Sequence, residues 1–196
     1  MKIISYNLNG IRSAVSKGFF EWLESELPDV LLVQETKAKP GQIDLLSFER
    51  LGYYSYIHSA KKNGYSGVAI FSRIKPDKVF TGIGNGKYDD EGRLLRADFG
   101  DITILGTYFP SGTTGDERQN FKMEWLDDFT KYIQQLLPSR PRILIGGDLN
   151  IAHTPIDINH PERHTKTSGF LPEEREWFSQ FLQLGFHDSF RIFHSE

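Results

Sequence analysis

The stretch Ile143-Leu144-Ile145-Gly146-Gly147-Asp148-Leu149-Asn150 decides how this chain is read. A short run of aliphatic and β-branched residues reads as a buried strand. Two glycines follow and allow a sharp turn or a close backbone approach. Then come a carboxylate and, two residues on, an amide. In an extended segment residues two apart point the same way, so Asp148 and Asn150 are expected to face whatever lies beyond the strand end. A hard cation and a phosphate oxygen both suit such groups. An Asx-type turn, with both side chains capping backbone, is the alternative. The stretch by itself leaves both open.

Working outward, the same arrangement recurs. Lys2 to Asn7 reads as a strand that runs into the polar turn Asn7-Leu8-Asn9-Gly10. Val30-Leu31-Leu32-Val33 is a wholly apolar strand with Gln34-Glu35-Thr36-Lys37 at its end. Ile102 to Tyr108 is a strand closing on a tyrosine before Pro110. Function borne at strand ends is a usual feature of α/β sheets. Each feature alone has an ordinary reading: Glu35 as a solvated acid, Tyr108 as a half-buried tyrosine. Further strands are predicted at Tyr53–Ser59, Val68–Ser72, Lys78–Gly82 and Leu94–Phe99, with Gly100-Asp101 supplying hairpin chemistry.

Helical spacing is present at Phe19, Phe20, Trp22, Leu23 and Leu27, ended by Pro28. A short helix is predicted over Gln42–Leu51, stopped by Gly52. A long amphipathic helix from Asp116 to Leu137 is predicted, with Phe121, Trp125, Phe129, Ile133 and Leu137 on one face. Pro172-Glu173-Glu174 opens a last helix, with proline early and acids in the first turn. Between Ile151 and Gly169 lies a polar loop, where His153, His160 and His164 read as solvated; His58 and His187 read as structural.

At 196 residues with 38% hydrophobic and 13% aromatic content, one domain (1–196) with a substantial core is expected. No run approaches a transmembrane helix in length, and the N-terminus turns polar too soon for a signal peptide. Zero cysteines exclude disulfides and thiolate metal sites and fit a cytoplasmic location. The net charge of −3 argues against a uniformly basic nucleic-acid surface. It leaves room for a local basic face such as the turn Lys61-Lys62-Asn63-Gly64-Tyr65-Ser66-Gly67.

Taken together, Ser5-Tyr6-Asn7-Leu8-Asn9-Gly10, Leu32-Val33-Gln34-Glu35-Thr36-Lys37, Gly64-Tyr65-Ser66-Gly67-Val68-Ala69, Tyr108-Phe109-Pro110, Gly147-Asp148-Leu149-Asn150, Ser168-Gly169-Phe170-Leu171-Pro172-Glu173-Glu174-Arg175 and Asp188-Ser189-Phe190-Arg191 match in order and spacing along the whole chain. This set resembles the exonuclease III / class II abasic-site endonuclease family, within the endonuclease–exonuclease–phosphatase superfamily. The GDLN stretch marks only the superfamily; the GYSGVA and GFLPEER stretches narrow it to DNA-repair members and argue against a lipid or nucleotide phosphatase.

The resemblance implies an α/β fold of two packed, mainly antiparallel sheets flanked by helices, a four-layer DNase I-like sandwich. It implies hydrolysis of double-stranded DNA at abasic sites and 3′ ends, dependent on Mg²⁺ or Mn²⁺; separately, a monomer without membrane partners is expected. By similarity Glu35 is the principal metal ligand, with Asn7 beside it, and Asp148 and Asn150 complete the set. Asp148 orients or deprotonates the attacking water, Asn150 holds that water or a phosphate oxygen, and Tyr108 contacts the scissile phosphate. Gly64, Tyr65 and Ser66 would lie against DNA, with Lys37 and Arg93 as phosphate contacts. Asn9 lies next to the metal at a position often occupied by Asp in relatives, where an amide lowers the negative charge.

The chain departs from the family pattern after Asp188-Ser189-Phe190-Arg191. Relatives continue with strands carrying a Trp-containing abasic-site pocket, another Asp and a final Ser-Asp-His; here Phe193-His194-Ser195-Glu196 follows. The sandwich is therefore expected to lack its last strands. The reading from a different class is a catalytically impaired remnant that binds DNA or a partner without turnover.

Overall fold

The computed structural model describes residues 1–194. Two compact units are distinguished, one of residues 1–108 and 137–149, the other of residues 109–136 and 150 onward.

The first unit holds two four-stranded sheets. One is built from β1 (Ile3–Asn7), β2 (Val30–Gln34), β3 (Tyr54–His58) and β4 (Val68–Ser72), in the order β1-β2-β4-β3. The other is built from β5 (Lys78–Thr81), β6 (Leu94–Phe99), β7 (Ile102–Tyr108) and β8 (Arg142–Asp148), in chain order. Pairing is mainly antiparallel, but each sheet has a parallel pair at one edge. Asn7 lies opposite Gln34 across β1 and β2, and Tyr108 opposite Asp148 across β7 and β8.

β2 and β4 are buried on both faces, which is why their sequences are continuously apolar. Their side chains alternate between two cores. Val30, Leu32, Val68 and Ile70 meet Leu95, Ala97, Phe99 and Ile104 of the second sheet. Leu31, Val33, Ala69 and Phe71 meet Ile11, Phe19, Leu23 and Phe48 from the helices α1 (Ile11–Val15), α2 (Phe19–Glu26) and α3 (Leu45–Arg50). Phe48 stacks flat on Phe71, with ring centroids 3.7 Å apart.

α2 ends in a left-handed Leu27 whose amide bonds to the Leu23 carbonyl, directly before Pro28. The helix expected over Gln42–Leu51 is instead two pieces, a 3₁₀ turn at Pro40–Gln42 and α3. Asp44 separates them, because its carboxylate caps the Ser47 amide at 3.2 Å. Two short helices went unpredicted in this unit, α1 and α4 (Gly86–Asp89), each too brief to show a period.

Asp98 on β6 is the electrostatic centre of the second sheet's far end. It accepts from Arg96 Nε at 2.9 Å, Arg96 Nη2 at 2.6 Å and Thr103 Oγ1 at 2.8 Å. Arg140 Nη2 lies 3.8 Å away. Burial alone would raise its pKa, but these donors and cations outweigh burial and hold it below the ordinary aspartate value. A depressed folded pKa contributes stability above the unfolded-state value of about 3.9, and that stability is lost as pH falls through the folded value. Asp98→Asn is therefore expected to cost about 2 kcal/mol at pH 7, less than a fully buried pair because the arginines keep some solvent. The difference from the parent should close towards pH 3; urea unfolding at both pH values checks it, and a pH-independent gap would contradict this account.

The second unit is helical and aromatic. α5 (Asp116–Leu136) buries Lys122, Trp125, Leu126, Phe129, Ile133 and Leu136. α6 (Pro172–Leu182) buries Glu174, Trp177 and Phe181. Phe109 meets Trp125, Phe129 and Trp177 edge-on, and Phe129 stacks on Phe181. Trp177 Nε1 donates to Thr130 Oγ1 at 2.9 Å. The stretch from Ile151 to Gly169 is loop with two 3₁₀ turns, and the short α7 (Ser189–Phe193) follows α6. His153 is not solvated: its ring stacks on Phe178 and its Nε2 meets Ser179 Oγ at 2.9 Å. His187, expected to be structural, is exposed. Among the described residues, no helix is long and apolar enough to cross a membrane.

Candidate active site

The parallel pairs explain how residues far apart in sequence come together. Parallel strands place their C-terminal ends side by side. β1 ends at Asn7 and β2 runs into Glu35; β7 ends at Tyr108 and β8 at Asp148. Asn7 Nδ2 donates to Glu35 Oε1 and to Asp148 Oδ2, both at 2.9 Å. One amide nitrogen thus spends both its protons on two carboxylates. The Tyr108 phenol lies close enough to both carboxylates for their charges to act on it.

Two carboxylates this close require positive charge. Lys37 supplies it, with Nζ 2.7 Å from Glu35 Oε2 and 2.5 Å from Asn9 Oδ1. Burial pushes the Glu35 pKa up, but the hydrogen bonds from Lys37, Asn7 and Tyr108 and the Lys37 charge prevail, and Glu35 titrates below the usual range. Tyr108 moves the other way: burial raises its pKa, and the neighbouring Glu35 charge and hydrogen bond add to the rise. At neutral pH the site holds an ionised carboxylate beside a protonated phenol.

The backbone here is unusual. Among the described residues seven non-glycine residues have positive φ, and Asn9, Glu35, Lys37 and Ser66 are four of them. Such conformations cost of order 1 kcal/mol or more and tend to cluster at functional sites. Backbone bonds from Gly10 N to Glu35 O, Lys37 N to Ser66 O and Thr36 N to Gly67 O hold the segments together.

Several expected residues are placed differently from the sequence reading. Arg93 is 2% exposed and does not offer its guanidinium to solvent. It bonds Glu91 Oε2 through Nε at 3.0 Å and Nη2 at 2.6 Å, the Tyr65 hydroxyl at 2.9 Å, and the Tyr108 carbonyl at 3.2 Å. Its plane lies over the Tyr108 ring, 4.8 Å from the centroid. A pair such as Glu91 and Arg93, two apart on one strand approach, was the missed signal. Ser66 is also buried, at 2%, and its hydroxyl is turned inward, whereas Gly64 is exposed and Tyr65 half-exposed. Lys37 is engaged by Glu35 and Asn9 as above. A cavity of about 390 Å³ opens beside Asn7 and Asn9, lined also by Tyr6, Ser13, Lys17 and Trp22.

In the second unit Asn150 has φ 50°, so the extended continuation through Asp148 to Asn150 does not form. Its Nδ2 donates to the Phe109 carbonyl at 2.9 Å, and its own carbonyl accepts from Lys122 Nζ at 2.7 Å.

The residues present suit a hard divalent ion. Mg²⁺ is held by one or two carboxylates and keeps other positions for water and substrate, and Glu35, Asp148 and the Asn7 amide match that donor set. Among the described residues no group of three or more His, Cys, Asp or Glu is gathered as a closed zinc site requires.

A model of the endonuclease/exonuclease/phosphatase family matches residues 4–193. The chain is 42% identical over 195 residues to a DNA-(apurinic or apyrimidinic site) endonuclease of Dictyostelium discoideum, covering 98% of this chain and 54% of that one. It is 41% identical over 192 residues to an exodeoxyribonuclease of Bacillus subtilis (strain 168), covering 97% and 75%. The structure of an AP endonuclease from Archaeoglobus fulgidus superposes with a TM-score of 0.89 at 32% identity, covering 98% of this chain and 74% of that one. The chain therefore spans about half the length of the Dictyostelium relative and about three quarters of the Bacillus one. It belongs to the endonuclease/exonuclease/phosphatase family. Within it, the chain falls in the exonuclease III / abasic-site endonuclease branch, and the two sheets flanked by helices are the fold of that branch.

Proposed function

We propose that this chain hydrolyses phosphodiester bonds of double-stranded DNA with Mg²⁺, cutting 5′ to abasic sites and trimming 3′ ends. The observation that carries the reading is the Asn7 amide bridging Glu35 and Asp148 beside the Tyr108 phenol. Divalent metal use goes with the family; Mg²⁺ in particular, with Mn²⁺ as the substitute, is our assignment from the donor set. Glu35, Asn7 and Asp148 would hold the ion, with Asn150 as the further amide of the set. The ion, when bound, supplies positive charge beside the phosphoryl oxygens.

The chain's own groups do the rest. Asp148 accepts the proton of the attacking water; a positioned carboxylate of this kind contributes about 10²–10⁴ in rate. The Tyr108 phenol, kept protonated, donates to a phosphate oxygen without adding negative charge. Arg93 holds Tyr108 by its ring face and carbonyl, and holds Tyr65 by its hydroxyl, so both tyrosines are fixed before DNA arrives. Tyr65 and Gly64, beside the exposed Lys61 and Lys62, face the duplex. Asn150 holds the water or a phosphate oxygen.

The test is a 5′-labelled duplex with one synthetic abasic site, and a second with a recessed 3′ end, each incubated with Mg²⁺ or with EDTA. EDTA-sensitive cleavage on the 5′ side of the abasic site is expected, with stepwise shortening of the recessed end. Folded protein that cleaves neither duplex with Mg²⁺ or Mn²⁺ would refute the proposal and leave a DNA-binding chain without turnover.

A further inference from the structure

We infer that the buried ion pair of Lys122 and Glu174 is a positioning device for Asn150, an inference that rests on the hydrolytic function proposed above. Both side chains are 0% exposed. Taking two charges out of water carries a large desolvation penalty, and a well-packed apolar pair of similar volume is often as stable or more so. Stability alone therefore does not account for a lysine on the apolar stripe of α5.

The hydrogen bonds show what the pair holds. Lys122 Nζ donates to Glu174 Oε1 at 2.6 Å and to the Asn150 carbonyl at 2.7 Å. Glu174 Oε2 accepts from the amides of Gly169 at 2.6 Å and Leu171 at 3.0 Å. Glu174 Oε1 also accepts from Gln119 Nε2 at 3.0 Å and from Ser168 Oγ at 3.3 Å. The Gly169 carbonyl in turn accepts from Ala152 N at 2.8 Å. The pair thus clamps the backbone at 150–152 to that at 168–171, the two ends of the long polar loop.

Asn150 needs such a clamp. Its left-handed backbone is one that asparagine tolerates but that is not the commonest for it, so its partners decide which conformation it keeps. The ammonium fixes its carbonyl, and the Phe109 carbonyl fixes its Nδ2. With both ends held, the direction of Oδ1 is set as well. A misplacement of about 1 Å in a reacting group can cost 10²-fold in rate, so the pair acts on turnover through Asn150 without touching substrate itself.

The experiment compares the full chain with Lys122→Met/Glu174→Leu and with Lys122→Arg. Read out are kcat and KM on the abasic-site duplex, thermal unfolding, and the side-chain amide signals of ¹⁵N-asparagine-labelled protein. The Asn150 signals are identified by their loss in Asn150→Asp. The double variant strips the Gly169 and Leu171 amides and the Asn150 carbonyl of these partners and is expected to unfold well below the parent. At a temperature where it is folded, kcat is expected down about 10²-fold, KM within about threefold, and the Asn150 amide signals shifted or broadened. Lys122→Arg keeps the charge but moves the donor from the Asn150 carbonyl, and is expected to lose about tenfold in kcat. A folded double variant with parental kcat and unmoved Asn150 signals would overturn the inference. Should the double variant fail to fold, the same two readouts on Lys122→Arg decide. A parent without turnover would refute the hydrolytic reading, while the amide signals still decide the positioning.

Discussion

Asp148→Ala is expected to give a folded chain whose single-turnover incision of an abasic-site duplex falls by about 10³-fold or more, the combined effect of removing a base and a charge at the reacting centre. Asp148 is half-buried at a strand end and touches Asn7 through Oδ2. Its loss leaves Asn7 bonded to Glu35, so the effect on stability should be about 1 kcal/mol for each hydrogen bond removed. Thermal unfolding close to the parent, beside the collapsed rate, separates chemistry from folding. A variant that still cuts within tenfold of the parent would remove Asp148 from the proton-accepting role.

Gly147→Ala should produce the second largest effect, from a residue with no functional group. Gly147 has φ 151° and lies opposite Thr107 in the parallel β7–β8 register. A Cβ built there would overlap the Thr107 carbonyl oxygen and crowd its carbon, and these are backbone atoms that cannot swing aside. The end of β8 must move away from β7, taking Asp148 off Asn7 and away from Tyr108. A loss of about 10² in kcat is expected from the displacement, with about 2–3 kcal/mol of destabilisation from the strained backbone. Unlike Asp148→Ala, this variant should lose both activity and stability; parental values of both would show that the glycine is not required by the strand approach.

Strand ends were the most legible part of the chain. Asn7, Glu35, Tyr108 and Asp148 each follow an apolar run, and polar residues after a buried strand leave a visible boundary. Pro28 and Gly52 punctuated the helices for the same kind of reason: one cannot continue a helix, the other tolerates the conformation that ends it. The parallel pairing of β1 with β2 and of β7 with β8 was not legible, because period-2 alternation is the same in either direction. The left-handed conformations of Glu35 and Lys37 left no trace either, since these residue types usually avoid them, whereas Asn150 is of a type that tolerates it. Arg93 and Ser66 looked like surface residues by type, and burial depends on partners such as Glu91 that only the fold brings near. Lys122 did leave a signal: it is in phase with Trp125, Leu126, Phe129 and Ile133 on α5, where a charge demands a buried partner.

The parallel pairing of β1 with β2 and of β7 with β8 also bears on when the centre comes into being. The hydrogen bond between Asn7 and Asp148 spans 141 residues of chain. During synthesis at about 5–20 residues per second, Glu35 is made on the order of ten seconds before Asp148. Throughout that interval a nascent chain carries one half of the acid pair and cannot close the other. The centre is thus completed in one late step, when β8 takes its place beside β7, rather than by degrees.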